Sequence, residues 1–243
     1  MTKIRDMYDT DVIYNNYKVL RDNPNLNIVE EKSAIMSLCP DLRGKSIIDL
    51  GCGNGEACIS FADMGASRIH GIDISEKMLE IANTNHKREN ISYTFLDMNN
   101  IHVLDEKYDV AFSSLSVHYI NDFKKLMNNI HSILNENGTF IFSQEHPLTT
   151  APISGVHWTR DNKLQILHYD LTDYRRDGER IISWIVDGVI KYHRCFSEIV
   201  NSIVEEGFVI ERMLEPVPTN EKLPYYEKSM HKPNYLIIKA RKV

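Results

Sequence analysis

Apolar and polar positions alternate in two periods along this chain, and the switch between them sets out the elements. Short apolar runs at "KSIIDL" (45–50), "SRIHGID" (67–73), "ISYTFLD" (91–97), "YDVAFSSLS" (108–116) and "GTFIFSQE" (138–145) read as strands. Between them lie stretches with helical spacing. "GEACISFADMG" (55–65) places Ala57, Phe61 and Ala62 on one side and stops at Gly65. "SEKMLEIANTNHK" (75–87) has Ser75 in N-cap position, with Met78, Leu79 and Ala82 facing inward. "NDFKKLMNNIHSILNENG" (121–138) carries a stripe of Phe123, Leu126, Met127, Ile130, Ile133 and Leu134, with Gly138 at its end. Strands alternating with helices of this length predict βαβ units, hence a doubly wound α/β domain with a mostly parallel sheet.

The rhythm changes after Glu145. No clear crossover helix is evident in 146–192, and "RIISWIVDGVIKYH" (180–193) places apolar runs on either side of Asp187-Gly188, a hairpin signal with Trp184 expected in the core. A helix at 196–208 and strands at 208–214 and 234–242 complete the chain. The expected organisation is one domain over residues 1–243. A helical segment covers the ligand (1–44), followed by a ligand-binding core (45–145), an inserted antiparallel cap (146–193), and a closing helix with a terminal strand hairpin (194–243).

Composition narrows the function. The formal net charge of −6 gives no general electrostatic attraction for nucleic acid or an anionic membrane. Cys39, Cys52, Cys58 and Cys195 have no metal-ligand spacing, so no metal is expected. The start lacks an unbroken apolar leader, and no apolar run reaches the roughly 20 residues a membrane span needs, so a soluble, cytoplasmic protein is expected. Oligomeric state is not legible.

The stretch "IIDLGCGNG" carries the chemistry. Gly51, Gly53 and Gly55 form G-x-G-x-G between the first strand and first helix, one residue short of the dinucleotide spacing G-x-G-x-x-G, and the lysine of a nucleotide-triphosphate loop is absent. Asp49 stands two residues before the first glycine, where a carboxylate repels a pyrophosphate and suits an ammonium group. Asp73 ends the second strand, in position to accept hydrogen bonds from ribose hydroxyls. A ribose, a positive group and no phosphate describe S-adenosylmethionine.

With "GIDIS" and "YDVAFSSLSVHY", these residues resemble the motifs of class I S-adenosylmethionine-dependent methyltransferases over about residues 45–145. The later "EHP", "KYHR", "GF" and "EPVP" look like a bacterial small-molecule subgroup. The resemblance implies a seven-stranded sheet of order 3-2-1-4-5-7-6 with the last strand antiparallel. It also implies cofactor roles: Asp49, Gly51 and Gly53 at the methionine moiety, Asp73 at the ribose, Ile74, Asp97 and Met98 around the adenine, and Ser113 and Ser114 beneath the sulfonium. Asn27 is a further candidate for closing the pocket.

The methyl acceptor is expected above the ends of strands four and five. Candidate bases are His118, His146 and His193, with His118 first because it follows strand four directly; Tyr119, Glu145, Tyr169 and Arg194 are candidate substrate contacts. His118 has a structural alternative as a helix cap or a ring packed against a loop, and Glu145 has one as a salt-bridge partner of Arg194. The expected function is methyl transfer to an oxygen or nitrogen of a small molecule, with no nucleic-acid partner. Three alternatives remain: an NAD(P)-dependent oxidoreductase, an S-adenosylmethionine-binding accessory protein without turnover, and a methyltransferase acting on protein or RNA.

Overall fold

The computed structural model describes residues 27–155, 157–183, 187–218, 220–223 and 225–243. Residues 1–26 of the expected N-terminal segment, and Trp184, lie outside these. The described chain opens on a π-helical turn, Asn27–Lys32, running into α1 (Ser33–Met36). The βα alternation follows: β1 (Ser46–Leu50), α2 (Glu56–Asp63), β2 (Arg68–Asp73), α3 (Glu76–Asn85), β3 (Ile91–Phe95), β4 (Tyr108–Ser113), α4 (Phe123–Ile133) and β5 (Leu134–Glu145). Then come a short α5 (Pro147–Thr150), two hairpins, β6 (Trp158–Arg160) with β7 (Ile166–Tyr169) and β8 (Gly178–Ile182) with β9 (Val189–His193), α6 (Phe196–Glu205), β10 (Phe208–Leu214), α7 (Tyr226–His231) and β11 (Tyr235–Lys242).

Seven strands form one sheet in the order β3-β2-β1-β4-β5-β11-β10. Its pairings are parallel except that β11 runs antiparallel to both β5 and β10. This is the order that the sequence resemblance implies, with β10 and β11 as the closing pair. Period-2 alternation sends the side chains of β5 and β11 to opposite faces. Phe140, Phe142, Leu236 and Ile238 pack with Ile130 and Ile199, while Ile141 and Ile237 pack with Ile35 and Phe61. The helices therefore cover both faces, and Phe61 meets Phe112 edge-on at 4.9 Å between ring centroids.

Local signals fare well where no distant element competes. Ser75 is the N-cap of α3, its Oγ accepting from Met78 N at 3.2 Å, with Met78, Leu79 and Ala82 buried as their spacing predicts. The helix expected over 121–138 ends instead at Ile133. Leu134 is already extended and paired with Tyr108 of β4, and Asn135 Nδ2 donates to Asp109 Oδ1 at 3.0 Å. Cross-strand pairing thus takes over while the apolar spacing is still helical. The β8–β9 hairpin is present, but Ile182 pairs with Val189, so Asp187-Gly188 ends a six-residue connection rather than forming a two-residue turn.

Candidate functional site

The glycine loop is held open by backbone geometry. Gly51, Gly53 and Gly55 have φ of 76°, 54° and 84°, a region that costs any side-chain-bearing residue energy. Gly51 N and Cys52 N both donate to Ile72 O at 2.9 Å, bending the chain back over the end of β2. Asp73 then fixes the loop: its Oδ2 accepts from Gly53 N at 2.8 Å and its Oδ1 from Ser75 N at 2.9 Å. A carboxylate oxygen accepts more than one hydrogen bond, so this bracing is compatible with a ribose contact.

Above the loop lies a cleft lined by Asp49, Gly51, Gly53 and Ser114 among the predicted residues, and by Glu31, Lys32, Ile35, Met36 and Phe112 among those not predicted. Asp49 is buried, and desolvation pushes its carboxyl up to about 7; the nearby Asp73 charge adds to the rise, while a hydrogen bond from Cys58 Sγ opposes it. Glu31 is only 1% exposed and accepts from Ser114 Oγ at 2.8 Å and Ser143 Oγ at 2.5 Å. The cleft thus presents buried acidic groups in place of a phosphate anchor, which fits a cationic ligand.

The other predicted cofactor residues stand around this cleft rather than in its lining. Met98 Cε lies 3.4 Å from where a Cβ on Gly51 would sit, packing directly beneath the loop. Asp97 caps the 3-10 turn Met98–Val103, accepting from Asn99 N at 2.8 Å. Ser113 is fully buried and donates to Leu50 O at 2.8 Å, tying β4 to β1. Ile74 links Asp73 to the α3 cap, and the side chain of Asn27 is outside the described ones.

On the acceptor side the three histidines are buried, each with hydrogen-bond partners of its own. His118, 3% exposed, lies on the 3-10 turn Val117–Tyr119, its ring tilted at 46° to that of Tyr119 with 4.4 Å between centroids. Burial drives it down to about 3, with the Lys191 and Arg194 charges adding to the fall against the pull of Glu145. Its Nδ1 accepts from Glu145 N at 3.5 Å, which leaves the proton of the neutral ring on Nε2. In this arrangement His118 presents an N–H donor at Nε2. His146 caps α5 through Nδ1, which accepts from Leu148 N at 3.1 Å, and its Nε2 reaches Glu215 Oε1 at 2.9 Å. His193 is fully buried between Thr150 Oγ1 at 2.8 Å and Tyr174 O at 2.9 Å. Both nitrogens of His146 and of His193 thus have hydrogen-bond partners.

Arg194 donates to Ile120 O and Asn121 O and lies over the Phe123 ring, holding the loop after β4. Glu145 pairs not with Arg194 but with Lys191 on β9, whose side chain is 3% exposed against 24% for the carboxylate. Tyr119 stands near the same ammonium, its ring 5.9 Å from Lys191 Nζ. Tyr169 Oη donates to Leu148 O at 2.6 Å. Asp177, His193 and Cys195 offer potential metal-donor atoms within 4.8 Å of one another, but His193 Nε2 and Cys195 Sγ both bond to Tyr174 O, at 2.9 and 3.0 Å.

Comparison with known proteins gives a consistent picture. A family model described as a methyltransferase domain matches residues 41–207. An uncharacterised Haemophilus influenzae protein is 38% identical over 246 residues, spanning 98% of this chain and 97% of its own. Among solved structures, a candidate S-adenosylmethionine dependent methyltransferase from Listeria monocytogenes is 32% identical, covering 88% of this chain and 96% of its own, with a TM-score of 0.81. An S-adenosylmethionine dependent methyltransferase from Mesorhizobium loti is 33% identical, covering 87% and 97%, also with a TM-score of 0.81.

Proposed function

The chain belongs to this family of S-adenosylmethionine-dependent methyltransferases, and we propose that it carries the methyl group to an oxygen or nitrogen of a small organic acceptor. The observation that carries the cofactor assignment is the cleft over the positive-φ glycines Gly51 and Gly53 with the buried carboxyls of Asp49 and Glu31 in its lining. The residues present fit the group: a glycine backbone for close approach, an acidic wall for a cation, and apolar Ile35, Met36 and Phe112 for the remainder. Bound there, S-adenosylmethionine supplies an activated methyl on a positively charged sulfur.

The chain's own part is placement. Asp49, Gly51 and Gly53 hold the amino-acid end, Asp73 the ribose, and Ile74, Asp97 and Met98 the adenine, with Ser114 kept in orientation by Glu31. Ser113 acts behind them by fixing β4 on β1. Transfer then depends on aligning the acceptor atom with the methyl, so positioning groups matter more than a strong base. Among the described residues His118 offers an N–H and the Lys191–Glu145 pair offers charge, both beside the end of β5.

A small acceptor suits the acidic chain and the two hairpins, whose Trp158 and Tyr169 are half-buried. The cap role of 146–193 is part of this proposal, as is Tyr169 as a wall of the acceptor site. No helix among the described residues is long and apolar enough to cross a membrane.

The test is to incubate the protein with methyl-labelled S-adenosylmethionine and, separately, the low-molecular-weight and macromolecular fractions of a cell extract. Label entering the low-molecular-weight fraction is the expected result. Label in protein or RNA would move the acceptor to that class. Absence of transfer with cofactor binding intact would favour the accessory alternative.

A further inference from the structure

Lys232, between α7 and β11, is 5% exposed. Its Nζ donates to Thr149 Oγ1 at 2.7 Å and to Asn234 Oδ1 at 3.0 Å, and it lies 5.4 Å from the centre of the Tyr169 ring. Both oxygens are neutral, and no carboxylate among the described residues comes within ion-pair distance of it. Lys191 on β9 is also buried but has a carboxylate, that of Glu145, in direct contact. The contrast is informative, because an ammonium taken out of water is costly unless an anion compensates it.

The charged groups facing Lys232 are Glu30 on the π-helical turn, Glu145 on β5 and Lys228 on α7. The two carboxylates act only from a distance, so burial outweighs them and lowers Lys232 to about 8. An ammonium has three N–H donors and the protein engages two of them. The site is also next to the cofactor cleft. Glu30 accepts from Asn234 Nδ2 at 3.1 Å, and its neighbour Glu31 lines the cleft. Tyr169 packs edge-on against Trp158 at 5.2 Å, giving the site an aromatic side.

We propose that Lys232, held by Thr149 and Asn234, anchors a carboxylate of the methyl acceptor, whose apolar body rests against Tyr169 and Trp158. The acceptor class is therefore a small organic acid, and Lys232 sets substrate choice. This rests on the methyltransferase reading.

The experiment titrates acetate, benzoate and phenylacetate, and in parallel their amides, into protein saturated with S-adenosylhomocysteine. At least one aromatic acid is expected to bind saturably, with its amide at least tenfold weaker. Lys232→Met is expected to lose tenfold or more in acid affinity and Lys232→Arg to retain most of it, while both variants bind S-adenosylhomocysteine as the wild type does. An amide binding as well as its acid, an unaffected Lys232→Met variant, or no binding by any of the acids would overturn the proposal. The acid–amide comparison uses only wild-type protein, so it decides the matter even if Lys232→Met fails to fold. Failure of the wild type to bind S-adenosylhomocysteine would instead overturn the methyltransferase reading, and the acceptor site with it.

Discussion

Gly51→Ala is expected to destabilise the protein by about 3 kcal/mol, whereas Gly53→Ala is expected to cost about 1 kcal/mol. Both residues have positive φ, so both variants carry the left-handed backbone penalty. They differ in what a methyl group would meet. At Gly51 it would lie 2.7 Å from both Cβ and Oγ of Ser116. Ser116 cannot swing aside cheaply, since with Ser113 Oγ donating to Leu50 O its own hydroxyl donates either to that carbonyl, 2.8 Å away, or to Ser113 Oγ. At Gly53 nothing lies within 4 Å. That open space is where the ligand is proposed to approach the backbone, so Gly53→Ala should fold almost normally yet bind S-adenosylhomocysteine at least tenfold more weakly. Chemical denaturation and calorimetry on both variants check this. Normal affinity in Gly53→Ala would move the ligand away from the loop.

Asp49→Asn is expected to weaken S-adenosylhomocysteine by tenfold or more, and to remove a pH dependence that the wild type shows. With its carboxyl at about 7 in the free protein, Asp49 is partly protonated near neutrality. A bound ammonium favours the carboxylate, so binding releases protons and affinity rises with pH until Asp49 is ionised without help. From pH 5.5 to 8 the wild-type affinity should climb and then level off above about 7, while Asp49→Asn stays nearly flat. A flat wild-type profile would mean that Asp49 does not face the cation.

Stability without ligand moves the other way. The folded value of Asp49 lies above its ordinary 3.8, so its contribution is fully present below that value and is lost as pH rises through 7. His118 opposes this: lowered from 6.5 to about 3, it contributes stability above 6.5 that is lost as pH falls towards 3. The two slopes oppose each other over much of the acid range. The stability difference between wild type and Asp49→Asn isolates the aspartate, and it should shift in favour of the variant as pH rises.

Which parts of this molecule were legible in advance follows from how far apart the determining contacts lie. The sheet, the glycine loop and the Ser75 cap rest on residues close in sequence or on simple periodicity, and they formed as the pattern indicated. The end of α4 did not, because Leu134 is claimed by Tyr108 across the sheet. The acidic residues behind the cofactor cleft carry no local signal at all. Glu31 meets Ser143 across 112 positions and Glu30 meets Asn234 across 204, so "IVEEKSAIM" alone reads as an ordinary helix with a solvated face. Position at a strand end singled out the histidines, but burial and neighbouring carbonyls, hydroxyls and amides had already engaged them. Lys191 and Lys232 were passed over because surface lysines are common and burial is not written in sequence.

The most direct test of the account is calorimetric titration of the purified protein with S-adenosylhomocysteine, with NADH titrated in parallel. Saturable binding of S-adenosylhomocysteine and none of NADH is the predicted result. Binding of NADH alone would contradict it, because a pyrophosphate would then occupy a cleft whose acidic wall is argued to repel one.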